Sequence, residues 1–414
     1  MKSSYDLLKA AAERYPSSAI VFPDEGKSYS YAEFLKEVDA CARALSAYGV
    51  GIGDRVAVYG QNSSYWMKCF FAVLKTGAVA VPVNCKAVED DIMYMVKTAG
   101  VKLLFHLSDA PLSGKLAHNV PAVVTADGFD SFVKTGSGLH DAESVCGDLQ
   151  LIMFTSGTSA NPKGVMLGPE GLMNSIVDYK DTLGLSSDDV MLLNLPLSYC
   201  YGCVLICCSF CLAGANLVVS RSFAAGKTLR LIEKYHCTVL NMVPTMYQLI
   251  FSSGLMPRYD HSSVRAAVVG GSYTSLELVE RMRAAFGRNS VLCGYGMTEC
   301  SSWALSQRFD DPVELRGASA GWPVGNMEAR IVPGYGEAEN GMMQGELCLR
   351  GKAMMTGYLD AAVTAEAYDS EGWFHTGDVV KRDSQGRYWI VDRCKDMIIK
   401  GPRLVSLAIP PEKG

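Results

Sequence analysis

Residues 151–165 read LIMFTSGTSANPKGV, a short apolar strand followed by a loop of small hydroxyl residues around a glycine. Unblocked backbone amides in such a loop can point at one anion, and Lys163 supplies a compensating positive charge. A bare run of hydroxyl residues is more often a solvated turn. The ordered series of strand, hydroxyl loop, Pro-Lys-Gly and a second strand at 165–167 is more restrictive, and it predicts a phosphate-binding loop. The Walker pattern, with Gly-Lys-Ser/Thr opening a helix, is absent.

Length and composition limit the classes of protein to consider. The chain has 414 residues, 49% of them hydrophobic and 20% charged, which is enough for a large core and two or three domains. A net charge of -5 without a basic block argues against a nucleic-acid partner. We find no signal peptide and no apolar run of membrane-spanning length. The 14 cysteines lack framework spacing, so we expect reduced thiols and a cytoplasmic protein.

Helical and strand patterns alternate in two blocks, 30–105 and 190–293, as parallel crossover units require. The two blocks predict an α/β fold of two similar stacked layers with mostly parallel sheets. Short strands and turns after about residue 320 predict a small β-rich, distorted barrel-like subdomain. The predicted segments are a first α/β subdomain with a connecting region, a second carrying the phosphate loop and an acid pocket, the β-rich subdomain, and a hinge with an atypical tail, at 1–150, 151–319, 320–392 and 393–414.

A second chemical stretch, CGYGMTEC at 293–300, directly follows a predicted strand. Open α/β sheets usually bind ligands at this carboxyl edge. Tyr295 can stack on a purine, Thr298 can donate to a phosphate oxygen, and Glu299 can hold magnesium through a hard carboxylate oxygen. On these residues alone, a tight turn with a capping Thr-Glu explains the pattern equally well.

Two later stretches, WFHTGD at 373–378 and DRCKDMIIKG at 392–401, add candidate sugar-binding groups. Asp378 can accept both ribose hydroxyls, and Arg393 can reinforce contact with the same sugar. Other reactive side chains give weaker signals. The helix that carries Cys208 and Cys211 has CxxC spacing, but its Leu and Ile neighbours favour core packing over a metal or redox site. None of the six histidines forms a ligand cluster by spacing.

These motifs, in this order, resemble those of the adenylate-forming superfamily of acyl-CoA synthetases, adenylation domains and luciferases. The resemblance runs from about residue 29 to residue 401 and includes Gly-Gly-Ser at 270–272, Gly-Glu-Leu at 345–347 and Gly-Tyr at 357–358. It implies a catalytic set of Thr298, Glu299 and Lys163, a magnesium ligand at Glu299 and a hinge at Lys395. The implied ATP/AMP-binding residues are Thr155, Ser156, Gly157, Thr158, Ser159, Lys163, Gly270, Gly271, Ser272, Gly294, Tyr295, Gly296, Met297, Thr298, Asp378 and Arg393.

The implied reaction is ATP-dependent activation of a carboxylic acid to acyl-AMP and pyrophosphate, followed by thioester formation. The implied cofactors are ATP, Mg²⁺ and coenzyme A, or the phosphopantetheine of a carrier protein. Members of the superfamily continue past the hinge into a small domain with a mobile catalytic lysine. We interpret this chain as the large domain alone, and we expect it to bind nucleotide but to turn over poorly.

The stretch LPLSYCYG at 195–202 bears on the acid substrate. It lacks the aspartate that amino-acid-loading relatives place near here, which favours an acid without a free α-amine. Many acyl-CoA synthetases carry a histidine where Tyr199 stands, so the usual role of that position is in doubt. Fatty and aryl acids both remain open. The predicted acid pocket consists of Tyr199, Cys200, Met242, Val243, Gly270 and Met297.

Two alternatives to an acyl-CoA synthetase remain open from the sequence. One is a stand-alone adenylation domain that loads a carrier protein. The other is a nucleotide or acyl-AMP binding module without turnover.

Overall fold

The computed structural model describes residues 3–155, 162–334, 341–393, 397–400 and 403–406. Its strands are β1 (Ala19–Phe22), β2 (Lys27–Ser30), β3 (Arg55–Gly60), β4 (Val79–Val83), β5 (Val101–Leu107), β6 (Val123–Thr125), β7 (Leu151–Thr155), β8 (Lys163–Leu167), β9 (Val190–Leu193), β10 (Asn216–Val219), β11 (Val239–Met242), β12 (Ala266–Val269), β13 (Val291–Tyr295), β14 (Leu305–Ser306), β15 (Trp322–Pro323), β16 (Glu328–Pro333), β17 (Met343–Arg350), β18 (Gly357–Tyr358), β19 (Phe374–Arg382), β20 (Tyr388–Arg393), β21 (Met397–Lys400) and β22 (Arg403–Ser406).

The α-helices are α1 (Ser4–Arg14), α2 (Tyr31–Ala47), α3 (Ser64–Lys75), α4 (Glu89–Ala99), α5 (Gly114–Asn119), α6 (Phe129–Lys134), α7 (Pro169–Leu183), α8 (Cys207–Ala213), α9 (Ala225–Tyr235), α10 (Pro244–Ser252), α11 (Leu276–Phe286), α12 (Val313–Arg316) and α13 (Ala361–Ala367). A π-helical turn at Tyr201–Ile206 leads into α8, and single 3₁₀ turns lie at Met256–Arg258 and Thr298–Cys300.

Two large sheets carry the alternating blocks and confirm the predicted mostly parallel α/β layers. The nine-stranded sheet has the order β15-β14-β13-β12-β11-β9-β10-β1-β2. Its six central strands, β13, β12, β11, β9, β10 and β1, run parallel to one another. The seven-stranded sheet has the order β18-β8-β7-β4-β3-β5-β6 with a parallel centre. Antiparallel strands lie only at the edges of both sheets among the described residues.

A layer of helices joins the two sheets into one core. Buried residues of α1, α2, α3, α7 and α8 belong to the same hydrophobic cluster as residues of both sheets. Local sequence signals determine where two of these helices begin. A capping box at Ser30 and Glu33 starts α2, and the Ser63 hydroxyl caps α3.

The sheets do not follow the predicted segment boundary at residue 150. Strands β1 and β2 come from the first segment but extend the nine-stranded sheet, whereas β7 and β8 come from the second and extend the seven-stranded sheet. A sequence pattern indicates where a strand lies, but not which distant strand it pairs with. The pairing of strands from one segment with the sheet of the other was therefore not predicted.

The β-rich region after about residue 320 is an antiparallel sheet with the order β16-β17-β19-β20. A bridge between Gly321 and Tyr388 connects it to the end of the nine-stranded sheet. Strands β21 and β22 form a separate two-stranded sheet. The predicted hinge residue Lys395 lies outside the described residues. None of the described helices has both the length and the apolar character needed to cross a membrane.

An ion pair between the buried Asp189 and the partly exposed Arg265 lies at the amino end of strand β9. Asp189, which is 2% exposed, precedes β9 and accepts hydrogen bonds from Arg265 Nε at 2.7 Å and from the Thr238 hydroxyl at 2.7 Å. It also accepts from the Ser186 amide at 3.0 Å. Burial alone would raise the pKa of Asp189, but these hydrogen bonds and the Arg265 charge lower it below its ordinary value of 3.8.

We expect Asp189→Asn to destabilise the protein by roughly 1.5–3 kcal/mol, because the buried carboxylate loses its charge-assisted hydrogen bonds with the partly exposed Arg265. The folded-state pKa of Asp189 is below the unfolded one, so its contribution is present above about pH 4 and is lost as the pH falls through the folded pKa. Denaturant unfolding at neutral and acidic pH measures both effects. Asp188→Asn, the same change at the exposed neighbouring residue, is the control. Equal stability of the two variants at pH 7 would contradict this assignment.

Candidate active site

The turn after β13 is fixed by close backbone contacts. A side-chain carbon at Gly296 would lie 1.9 Å from the Ser302 carbonyl oxygen, so only glycine fits there. Ser301 and Ser302 have positive φ angles of 50° and 82°, a conformation that non-glycine residues rarely adopt. The Ser302 amide donates to the Met297 carbonyl at 2.9 Å and closes the turn. Backbone strain of this kind clusters at functional sites.

Tyr295 and Asp378 meet across this turn. The Tyr295 hydroxyl donates to Asp378 Oδ2 at 2.6 Å, and the Asp378 side chain is largely buried. Burial and the Asp378 charge raise the pKa of Tyr295, so the phenol stays protonated and acts as the donor. The Thr376 hydroxyl accepts from the Asp378 amide at 3.1 Å and fixes the backbone around the carboxylate. The structure therefore brings together the predicted purine-stacking and ribose-binding residues.

A second connected set contains Glu299, Tyr358 and Lys163. The Tyr358 hydroxyl donates to Glu299 Oε1 at 2.8 Å, and the Lys163 ammonium lies 5.2 Å from the centre of the Tyr358 ring. Tyr358 reaches this place because β18 pairs with β8, the strand that begins at Lys163. Burial and the Glu299 charge raise the pKa of Tyr358. The predicted catalytic residues Lys163 and Glu299 thus share one tyrosine, and Thr298 precedes Glu299 in the same 3₁₀ turn.

A cavity of about 950 Å³ opens beside this turn. Its volume is in the range of small-molecule and cofactor sites. Of the predicted nucleotide-binding residues, it is lined by Gly271, Ser272, Gly294, Tyr295, Gly296, Met297 and Asp378. It is also lined by residues that the sequence analysis did not single out: Tyr273, Thr274, Ala318, Met342, Lys381, Trp389, Ile390, Val391 and Asp392.

The remaining predicted nucleotide contacts are placed only in part. Thr155 ends β7 and pairs with Lys163 across the antiparallel hairpin, so the predicted loop joins these two strands. Its residues Ser156, Gly157, Thr158 and Ser159 lie outside the described residues. In the sheet, Arg393 pairs with Asp378. Gly270 lies against the Gly294 carbonyl, where an added side-chain carbon would come within 2.7 Å.

The predicted acid-pocket residues occupy different environments. The Tyr199 side chain is about half exposed at 52%, and its hydroxyl accepts from the Asn84 amide at 2.9 Å. Cys200 is buried, which raises the pKa of its thiol, and Met242 is fully buried within β11. Val243 lies against Gly271, where an added side-chain carbon would be 3.3 Å from its Cγ1. Of this predicted set, Met297 alone lines the cavity.

The sequence contained signals for two further residues of the site, Tyr358 and Lys381. Tyr358 lies in the Gly-Tyr pair at 357–358, which the resemblance included without assigning a role. Lys381 follows Asp378 on β19 and pairs with Trp389 of β20, so a strand assignment could have placed both near the sugar-binding carboxylate. Trp389 itself carried no local signal.

Comparison with known proteins places these observations in a family. A family model described as AMP-binding enzyme matches residues 8–359. A feruloyl-CoA synthase from an Amycolatopsis species is 32% identical, over 91% of this chain and 76% of its own length. A putative acyl-CoA synthetase from Bacillus subtilis is 29% identical, over 95% of this chain and 79% of its own.

The fold comparison agrees. The solved N-terminal domain of FACL13 from Mycobacterium tuberculosis superimposes with a TM-score of 0.84 and 25% identity, covering 95% of this chain and 100% of that domain. The family match covers most of the chain. This chain belongs to the AMP-binding enzyme family.

Proposed function

We propose that this protein activates a carboxylic acid with ATP, forming an acyl-adenylate and pyrophosphate, and then transfers the acyl group to the thiol of coenzyme A. The observation that carries the proposal is the hydrogen bond between Tyr295 and Asp378 in one cavity. Glu299, four residues after Tyr295 in the sequence, adds a buried carboxylate nearby. Two relatives, named as a feruloyl-CoA synthase and a putative acyl-CoA synthetase, support the same class of reaction.

In this proposal the nucleotide base and sugar occupy the cavity. The Tyr295 ring offers an aromatic face to adenine. Asp378 accepts from the ribose hydroxyls, while the Tyr295 hydroxyl keeps the carboxylate in place. Lys381 lines the same cavity as a second, cationic contact. The phosphates then extend toward Thr298 and Lys163.

Glu299 fits a magnesium ion by its chemistry. Mg²⁺ prefers oxygen ligands and is commonly held by one or two carboxylates together with substrate phosphates. Glu299 offers a buried carboxylate, and Thr298 offers an adjacent hydroxyl. When bound, the ion would offset negative charge on the phosphates. Tyr358 orients the Glu299 carboxylate through one oxygen.

The protein's own contribution is positioning and charge. Holding the acid carboxylate in line with the α-phosphate lets a carboxylate oxygen bond to phosphorus as the bond to pyrophosphate breaks. Lys163 offsets charge on the departing pyrophosphate. In the second step, the thiolate of coenzyme A attacks the acyl carbon, and AMP leaves with the bonding electrons.

We propose an aryl or fatty acid as the substrate. The residues assigned to the acid pocket are mostly apolar, and the stretch at 195–202 provides no carboxylate for an α-ammonium group. The relative named as a feruloyl-CoA synthase favours an aryl acid.

Calorimetry with ATP, followed by acid-dependent pyrophosphate exchange over a panel of aryl, fatty and amino acids, tests the proposed function. We expect ATP binding, and slow exchange with aryl or fatty acids but none with amino acids. Supplying coenzyme A or a carrier protein as the acceptor then distinguishes the two thiol partners. Failure to bind ATP or any acyl-adenylate of the panel would overturn the proposal.

We expect Asp378→Asn to weaken ATP binding by about 1.5–3 kcal/mol, because the amide replaces a charged acceptor. Tyr295→Phe retains the ring but loses the hydroxyl, and we expect it to cost less. The two changes should be non-additive by about 1 kcal/mol, since each removes part of the same hydrogen bond. Tyr48→Phe is the matched control, because this exposed tyrosine lies outside the cavity. Calorimetry that gave additive effects would show that Tyr295 does not position Asp378.

We expect Glu299→Gln to lower kcat/KM for adenylation by about 2–4 kcal/mol, the scale of one preorganised charge contact. Nucleotide affinity should change less. Lys163→Ala should weaken binding of ATP more than binding of AMP, because AMP lacks the β- and γ-phosphates. Glu277→Gln, an exposed glutamate on α11, is the control. Unchanged turnover in Glu299→Gln, or equal losses of ATP and AMP affinity in Lys163→Ala, would refute these roles.

A further inference from the structure

Three side chains with different donor atoms meet between strands β17 and β19. Glu346 and Cys348 lie two residues apart on β17, and His375 faces Cys348 from β19. Their ligand atoms all lie within 4.8 Å of one another. The sequence did not indicate this cluster, because strand pairing brings His375 to residues 27 and 29 positions away.

Two of the three distances between ligand atoms are close to those of a tetrahedral metal site. Cys348 Sγ and His375 Nδ1 are 3.6 Å apart. Zinc bonds of about 2.3 Å to sulfur and 2.0–2.1 Å to nitrogen at a tetrahedral angle place these two atoms about 3.6 Å apart. His375 Nδ1 and Glu346 Oε2 are 2.9 Å apart, a hydrogen bond that needs to open by only about 0.5 Å to admit zinc.

The groups around the cluster orient its members as ligands. His375 turns Nδ1 toward Glu346 and Cys348, while its Nε2 lies 3.8 Å from Asp369 Oδ2. This distance is longer than a hydrogen bond, but it places a carboxylate on the side of the ring where metal-binding histidines usually have one. The Gly377 amide donates to Glu346 Oε1 at 3.0 Å, which leaves Oε2 directed at the cluster.

Charge and access also favour a cation. A thiolate and a carboxylate together neutralise Zn²⁺. Arg330 approaches Cys348, but its charge is offset by ion pairs with Asp369 and Glu371. Cys348 is fully buried, but the His375 side chain is one-third exposed and provides a route for an ion.

We propose that Glu346, Cys348 and His375 bind one Zn²⁺, with water as the fourth ligand. The mixed sulfur, nitrogen and oxygen donor set suits zinc better than magnesium or calcium. Binding replaces the Cys348 thiol proton, and that proton is released to solvent. The site is separate from the proposed magnesium ligand Glu299 and does not depend on the proposed acid activation.

The test uses the metal-free protein titrated with Co²⁺ as a spectroscopic substitute for Zn²⁺, with zinc affinity from competition against a chromophoric chelator. We expect one ion per chain, a thiolate-to-cobalt charge-transfer band and tetrahedral visible absorption. Cys348→Ser should abolish the charge-transfer band. His375→Asn should weaken zinc binding by roughly tenfold or more. Cys85→Ser, a half-buried cysteine outside the cluster, should bind as the wild type does.

The wild-type spectrum decides the question even if a variant fails to fold, which circular dichroism would reveal. A wild-type protein without a charge-transfer band has no thiolate ligand, and the proposal is then wrong. A band that persists in folded Cys348→Ser would assign the thiolate to another cysteine and would also overturn it. Neither result bears on ATP binding or pyrophosphate exchange, so this proposal and the proposed function fail independently.

Discussion

The Ser302 carbonyl oxygen fills the space that a side chain at position 296 would need, and the site depends on this contact. At this contact the chain reverses direction, directly after β13 and at the carboxyl edge of the nine-stranded sheet. From that turn, Tyr295 reaches Asp378 of the four-stranded sheet, and Glu299 reaches Tyr358 at the edge of the seven-stranded sheet. Two side-chain hydrogen bonds therefore connect the nine-, seven- and four-stranded sheets at this one short turn. A larger residue at position 296 would displace both bonds together, because the backbone that carries them would have to move.

Local signals allowed much of the fold to be predicted. The boundaries of α3 and β4 follow from apolar periodicity and neighbouring turns, and the capping box at Ser30 marks the start of α2. Pairing between distant strands could not be predicted in the same way. Strand β1 lies beside β10, and β18 lies beside β8, each across about 190 residues of chain. Such pairings depend on how whole helices and sheets pack, and no single stretch of sequence contains that information.

The same limit applies to the site. Tyr295, Glu299 and Asp378 could be singled out because each lies in a short motif whose residue types have direct chemical uses. The partners that orient them could not, because the Tyr358 hydroxyl reaches Glu299 only after β18 has joined the sheet. Lys381 and Trp389 likewise face the cavity because β19 and β20 pair in a particular register. Motifs thus identify groups that meet a ligand, whereas the groups that hold them in place emerge from tertiary structure.

Cysteine chemistry shows how strongly environment decides a residue's use. Cys207 and Cys211 are fully or almost fully buried in α8, and burial raises the pKa of both thiols. They pack as small hydrophobic residues, as the helical spacing predicted, because no histidine accompanies them there and their neighbours are apolar. Cys348 is as deeply buried, yet a carboxylate and an imidazole lie beside it. Without a metal its proton is hard to remove, but a divalent cation can supply the charge that a buried thiolate needs. The difference between an inert thiol and a ligand therefore lies in Glu346 and His375 rather than in the cysteine itself.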